Sequence, residues 1–91
     1  MEPIEMPIED VLDLHTFSPK EVPDLLDDYF TECLKKNILS VRIIHGKGTG
    51  VLKKRVESVL QRHRLVKEFK PAPPEAGGWG ATIVDLRRPP A

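Results

Sequence analysis

Val41-Arg42-Ile43-Ile44-His45-Gly46-Lys47-Gly48-Thr49-Gly50 runs directly into Val51-Leu52-Lys53-Lys54-Arg55. The β-branched run at its start reads as a strand buried on at least one face. A helical pattern begins near Val51, so the glycine-rich loop joins the carboxyl end of a strand to the amino end of a helix. Free backbone N–H groups and the positive end of the helix dipole favour an anion at such a junction. Gly46, Gly48 and Gly50 let the backbone approach a ligand closely or take positive φ. Lys47 adds a mobile positive charge and His45 a titratable ring. The local physics points to a phosphate-bearing partner, against the bland alternative of a tight turn with a solvated lysine.

Familiar phosphate motifs do not fit. A Walker A loop would need glycine where Val41 stands and Ser or Thr where Gly48 stands, and the spacing G-x-G-x-G is not the dinucleotide fingerprint. A mononucleotide enzyme therefore gains little support from this loop.

Upstream, Val11-Leu12-Asp13-Leu14-His15 alternates as a strand does. Leu12 and Leu14 are set towards a core, and Asp13 and His15 share the other face. Ser18-Pro19-Lys20-Glu21 is a helix start with a Ser cap, an early Pro and Glu three residues after the cap. Val22, Leu25, Leu26, Tyr29, Phe30, Cys33 and Leu34 then recur at helical spacing as a wide apolar stripe, with Asn37 placed to end the helix. Pro23 sits awkwardly in the first turns.

Downstream, Leu52, Val56, Val59, Leu60 and His63 mark the buried face of a second helix over about 51–63, and His63 reads as structural. Leu65–Lys70 is a third strand, anchored by Val66 and Phe69. Residues 71–80, rich in Pro and Gly and carrying Gly77, Gly78, Trp79 and Gly80, are expected to form no regular element, and loops of this length in small domains are often functional. Ala81–Leu86 is a last strand.

Ninety-one residues allow one domain with one modest core. The expected division is an extended leader over 1–10, the domain over 11–88 and a short tail over 89–91. Forty per cent hydrophobic and 31% charged residues are ordinary for a soluble globular chain. Cys33 is the only cysteine, which excludes an internal disulfide and suits a reducing compartment. With no long apolar run and no signal peptide, the expected location is the cytoplasm, with no membrane partner and a monomer assumed.

The net charge of zero conceals an asymmetry: residues 1–34 sum to −9 and residues 42–70 to +7. The two halves could simply attract one another. The coincidence of the basic block with the glycine loop favours nucleic acid instead. Lys53, Lys54 and Arg55, with Arg62 and Arg64, are generic backbone-contact candidates. Trp79 could stack on a base or plug the sheet edge.

The element order β-α-β-α-β-β, with right-handed crossovers, gives an α/β fold. We expect a two-layer sandwich in which two helices cover one face of a mixed four-stranded sheet. Its first three strands run mainly parallel and the last is antiparallel.

Three segments in order carry a family resemblance: Leu12-Asp13-Leu14-His15, then Ile44-His45-Gly46-Lys47-Gly48-Thr49-Gly50 with Leu52, then Gly77-Gly78-Trp79-Gly80-Ala81-Thr82. Together they resemble the Smr (small MutS-related) domain, across about residues 11–86. Thr16 departs from the pattern, standing where that family usually has Gly. No MutS-like ATPase segment accompanies the motifs, so the expected form is the domain standing alone.

The resemblance implies a sandwich similar to the carboxyl-terminal domain of bacterial translation initiation factor three. It also implies nucleic-acid binding and, in several members, nicking or endonuclease activity on DNA or RNA. Carried over, Asp13 and His15 match the pair linked to cleavage. His45, Gly46, Lys47, Gly48 and Gly50 match the central loop, with Thr49 inside it, and Gly77, Gly78 and Gly80 match the glycine-rich bend.

Hydrolysis of a phosphodiester needs proton transfer and stabilisation of developing negative charge. Histidine, with a free pKa of roughly 6.5, transfers protons near neutrality. The expected roles are Asp13 supporting a histidine, His15 as general base or acid, His45 as a second proton-transfer group, and Lys47 with the loop amides on phosphate. No cofactor is certain. A magnesium or manganese ion on Asp13, His15 and His45 is a further possibility, and a structural zinc site is not expected. The alternative to a nuclease is a binding module without catalysis. A pure protein-interaction domain leaves the basic block unexplained.

Overall fold

Asp13, Ile44 and Ala81 lie side by side across three strands, and this register places the ends of three motif segments at one rim of the sheet. In the computed structural model, residues 9–89 are described, so the expected leader and tail fall almost wholly outside the described residues. The strands are β1 (Val11–Asp13), β2 (Ser40–Ile44), β3 (Val66–Pro71) and β4 (Ala81–Leu86); the helices are α1 (Val22–Lys35) and α2 (Val51–Arg62).

The sheet order is β1-β2-β4-β3. β1 and β2 are parallel, while β4 is antiparallel to both of its neighbours, β2 and β3. The first three strands thus share one direction, and β4 is inserted between the second and third. The crossovers β1-α1-β2 and β2-α2-β3 advance the same way across the sheet, so the right-handed rule sends both helices to the same face. On that face Val41 and Ile43 of β2 and Val84 and Leu86 of β4 are buried with Leu26, Phe30, Val56 and Leu60 of the helices in one core. Each such side chain, fully buried, is worth about 1.5–3 kcal/mol. Among the described residues no helix is long and apolar enough to cross a membrane.

Local chemistry sets the element ends. Ser18 N–H donates to Glu21 Oε2 at 2.8 Å, and a 3-10 turn over Pro19–Glu21 leads into α1. Pro23 is tolerated because it lies in the first turn of α1, where its missing N–H would have had no helical acceptor. Asn37 ends the helix with φ +61°, while Ile38 N–H bonds back to Cys33 O at 2.9 Å.

β1 ends at Asp13, earlier than the alternation suggests, because the Asp13 carboxylate takes the His15 N–H at 3.0 Å and the chain then turns, Phe17 N–H to Leu14 O at 2.9 Å. Residues 71–80 are more ordered than expected, forming 3-10 turns over Pro74–Ala76 and Gly78–Gly80. Pro74 starts the first turn and Gly77, at φ +112°, closes it. His63 is structural, as expected: Nε2 meets Asp27 Oδ1 at 3.0 Å, Nδ1 accepts the Leu65 N–H at 3.1 Å, and the ring packs edge-on against Phe30.

Candidate nucleic-acid interface

The loop after β2 is held open from behind. Gly80 O accepts both His45 N–H, at 3.0 Å, and Gly46 N–H, at 2.9 Å. Gly46 at φ +83° and Gly50 at φ +88° take left-handed conformations that a side chain would strain. Gly50 caps α2, and its carbonyl receives the first helical bond, from Lys54 N–H at 2.9 Å. Among the described residues no internal acceptor takes the amides from Lys47 through Lys53. Unpaired amides beside a helix amino terminus form an anion-binding surface.

These amides border a cavity of about 560 Å³, lined by His15, Phe17 and Pro19 from one side and by His45 to Lys53 from the other. Lys47 and Lys53 supply positive charge, and no carboxylate lines the cavity. His15 enters because β1 and β2 are parallel neighbours: a Cβ built on Gly46 would lie 3.6 Å from His15 Cβ.

His15 Nδ1 is 2.5 Å from Asp13 Oδ1, the same oxygen that accepts the His15 N–H. That backbone hydrogen bond, with the ring bond behind it, holds the Asp13 carboxyl below its ordinary pKa. Both side chains are about half exposed. The Nε2 edge of His15 has no partner among the described residues.

His45 differs. It is 4% exposed, with Nε2 2.9 Å from Thr82 Oγ1 and Nδ1 3.3 Å from Gly46 O. A carbonyl can only accept, so Nδ1–H donates to Gly46 and Nε2 accepts the Thr82 hydroxyl proton. Burial holds its pKa below the ordinary histidine value, against a smaller opposing pull from the Gly46 bond.

The Smr domain model matches residues 12–87. The chain belongs to the Smr domain family.

Over 76 residues, 84% of its length, the chain is 42% identical to Endonuclease MutS2 of Lactococcus lactis subsp. cremoris. It spans about a tenth of the length of that relative. The Smr domain of Thermus thermophilus MutS2 superposes with a TM-score of 0.82 at 34% identity, covering 88% of this chain and all of that one. YdaL of Escherichia coli, a stand-alone small MutS-related protein, superposes with a TM-score of 0.80 at 27% identity, over 90% of this chain and 67% of that one.

The Smr fold brings together Asp13, His15, His45, Gly46, Lys47, Gly48, Thr49, Gly50 and Lys53. Gly80 stands behind the loop, while Gly77 faces Ala81, Gly78 faces open space, and none of the three lines the cavity. The Lys47 and Lys53 ammonium groups lie over the Trp79 ring, each 5.9 Å from its centroid. Arg55 lies apart: its Nε donates to Pro19 O at 3.4 Å, and it borders a groove with Asp27 and His63. Lys54 is exposed on α2 and does not line the cavity.

Sequence reasoning missed Thr82 as the partner of His45, although the third motif ends on it. It also missed Phe17 and Val51 as cavity walls, which only the parallel pairing of β1 and β2 reveals.

Proposed function

We propose that this Smr domain binds nucleic acid at the glycine-loop rim and hydrolyses phosphodiester bonds, nicking DNA or structured RNA. One observation carries the reading: His15, held from outside the cavity by Asp13, and the unpaired loop amides with Lys47 border one cavity. The endonuclease name of the MutS2 relatives supports it.

The backbone phosphate sits on the loop amides between Lys47 and Lys53. His15 Nε2 accepts the proton of an attacking water as its oxygen bonds to phosphorus. Negative charge grows on the non-bridging oxygens and is met by amides and ammonium groups already in place. The phosphorus–oxygen bond to the leaving group then breaks, and that oxygen is protonated from solvent or from the imidazolium. Asp13 fixes the ring and its tautomer and stabilises the imidazolium. With both nitrogens of His45 engaged, we assign it to anchoring the loop on β4 in place of the second proton-transfer role.

A protein-built metal centre is not favoured by the donor set. Among the described residues no three His, Cys, Asp or Glu side chains gather to hold an ion, and the nitrogens of His45 already have partners. A cytoplasmic setting is part of this proposal, a reducing compartment being one in which a lone thiol such as Cys33 keeps its reduced form.

The test is nicking of supercoiled plasmid and cleavage of a structured RNA by the wild type and by His15→Ala. We expect cleavage to fall by about 10²–10⁴-fold, the usual range for a general base, while binding stays within a few-fold. Unchanged cleavage removes His15 from the mechanism. Binding with no cleavage by the wild type leaves the non-catalytic module.

A further inference from the structure

The described residues expose four large hydrophobic side chains, and three of them cluster at the anion site. Phe17 and Val51 line the cavity, and Trp79 is 54% exposed, with the Lys47 and Lys53 ammonium groups over its ring. A site that recognised phosphate alone would need amides and ammonium groups; apolar surface there gains nothing from a charged, hydrated group. Exposed apolar area concentrated at one place marks a contact surface. Its neighbours on the rim are cations, so the ligand combines an anionic chain with an apolar, flat group.

Trp79 is also firmly placed. It is the middle residue of the 3-10 turn Gly78–Gly80, in which Gly80 N–H bonds to Gly77 O at 3.1 Å. Gly80 in turn carries the two amides that begin the phosphate loop. The turn that carries the ring is therefore hydrogen-bonded directly to the start of the loop. If Trp79 served only to cover the sheet edge, burial would be its function, and it is more than half exposed.

We propose that Trp79 is a stacking platform for an unpaired base next to the phosphate held on the loop, so that the substrate class is single-stranded or locally unpaired nucleic acid. This rests on the phosphate-site reading above. Within an uninterrupted duplex the base faces are already stacked on one another and offer an aromatic ring nothing to meet. An unpaired nucleotide offers its π face, and stacking of this kind tolerates any base sequence. The Lys47 and Lys53 ammonium groups now over the ring are on flexible stems, so a stacking base displaces them onto the flanking phosphates of the strand.

Trp79 is the only tryptophan in the chain, so intrinsic fluorescence reports on this position alone. The experiment titrates the full chain with a short oligothymidylate, an abasic chain of equal phosphate number and a blunt duplex of equal length, reading both Trp emission and anisotropy of the labelled strand. We expect the oligothymidylate to quench the emission and to bind roughly 5- to 100-fold more tightly than the abasic chain, the usual range for one stacked base. Trp79→Ala should bring the intact strand down towards the abasic level, and Trp79→Tyr should keep most of the difference.

Equal binding of intact and abasic strands overturns the platform and leaves the phosphate site standing. Equal affinity and quenching by the duplex also overturns it. Failure of every strand to bind removes both readings. The wild-type quenching measurement holds whether or not the alanine variant folds.

Discussion

Gly80 backs directly onto Lys47: a Cβ added at residue 80 would lie 2.9 Å from Lys47 Cγ. No side chain fits there unless the lysine stem moves. Gly80→Ala should therefore redirect the Lys47 ammonium while leaving the core alone. For a nucleic-acid partner we expect weaker binding at all sequences and a salt dependence, log K against log salt, shallower by about one charge, matching Lys47→Ala. Unchanged affinity and slope in both variants would take Lys47 off the phosphate.

His45 and Thr82 form a buried polar pair, Nε2 to Oγ1 at 2.9 Å, that ties the end of β2 to β4 beneath the loop. Thr82→Val keeps the volume but leaves the imidazole nitrogen without a partner in a site closed to water. Such an orphaned group costs about 1–3 kcal/mol. Chemical denaturation should show a loss in that range for Thr82→Val and a smaller one for Thr82→Ser. No loss would mean that water replaces the hydroxyl.

The depressed pKa values of His45 and Asp13 give two separate pH windows. A buried His45 binds its proton less readily folded than unfolded, so its contribution is complete above the ordinary value of 6.5 and is lost as pH falls from there towards the folded value. Lys53 opposes protonation and Glu57 favours it. The melting temperature should drop between pH 7.5 and 5.5, and His45→Gln should flatten that segment. Asp13 adds a second loss that begins only near 3.8 and continues as pH falls through its folded value. A His45→Gln variant with an unaltered slope above pH 5.5 would place the titration elsewhere.

Most of the architecture follows from local signals that agree with one another. The stripe from Val22 to Leu34, Asn37 at the helix end and the β-branched runs at 41–44 and 81–86 each point to the element that forms. What the chain does not announce is pairing. Nothing local to Ala81–Leu86 says that it inserts between β2 and β3, and that insertion is what brings Gly80 behind His45 and Trp79 beside Lys47. Burial is likewise a property of the assembled fold: His15 and His45 look alike as motif residues, yet one is half exposed and the other is sealed under the loop. Arg55 shows the same effect, since position on α2 and not charge decides which cations face the cavity.

The donor arrangement also bears on metal dependence. Asp13 and His15 engage each other, and His45 uses both nitrogens within the protein. An ion held by all three side chains would have to break the His45 bonds, and His15 Nε2 with the second Asp13 oxygen leaves too few donors for a protein-built site. Nicking should therefore persist in excess chelator, measured on plasmid at fixed ionic strength so that weaker binding is not mistaken for lost chemistry. Activity abolished by chelator and restored by magnesium or manganese would bring back an ion held by Asp13 and His15.

Asp13 is assigned to act through His15, and that assignment differs measurably from direct contact with substrate. The carboxylate takes both the backbone and the ring of His15 on one oxygen, so its geometry is directed at the histidine. Residues that work as a unit give non-additive losses: once one is gone, removing the other costs little more. Asp13→Asn should slow cleavage in the wild type and have almost no further effect in a His15→Ala background, with strand affinity within a few-fold in all three variants. Losses that instead multiply across the cycle would place Asp13 on the phosphate, the water or an ion independently of His15. The double variant therefore discriminates where either single substitution alone does not.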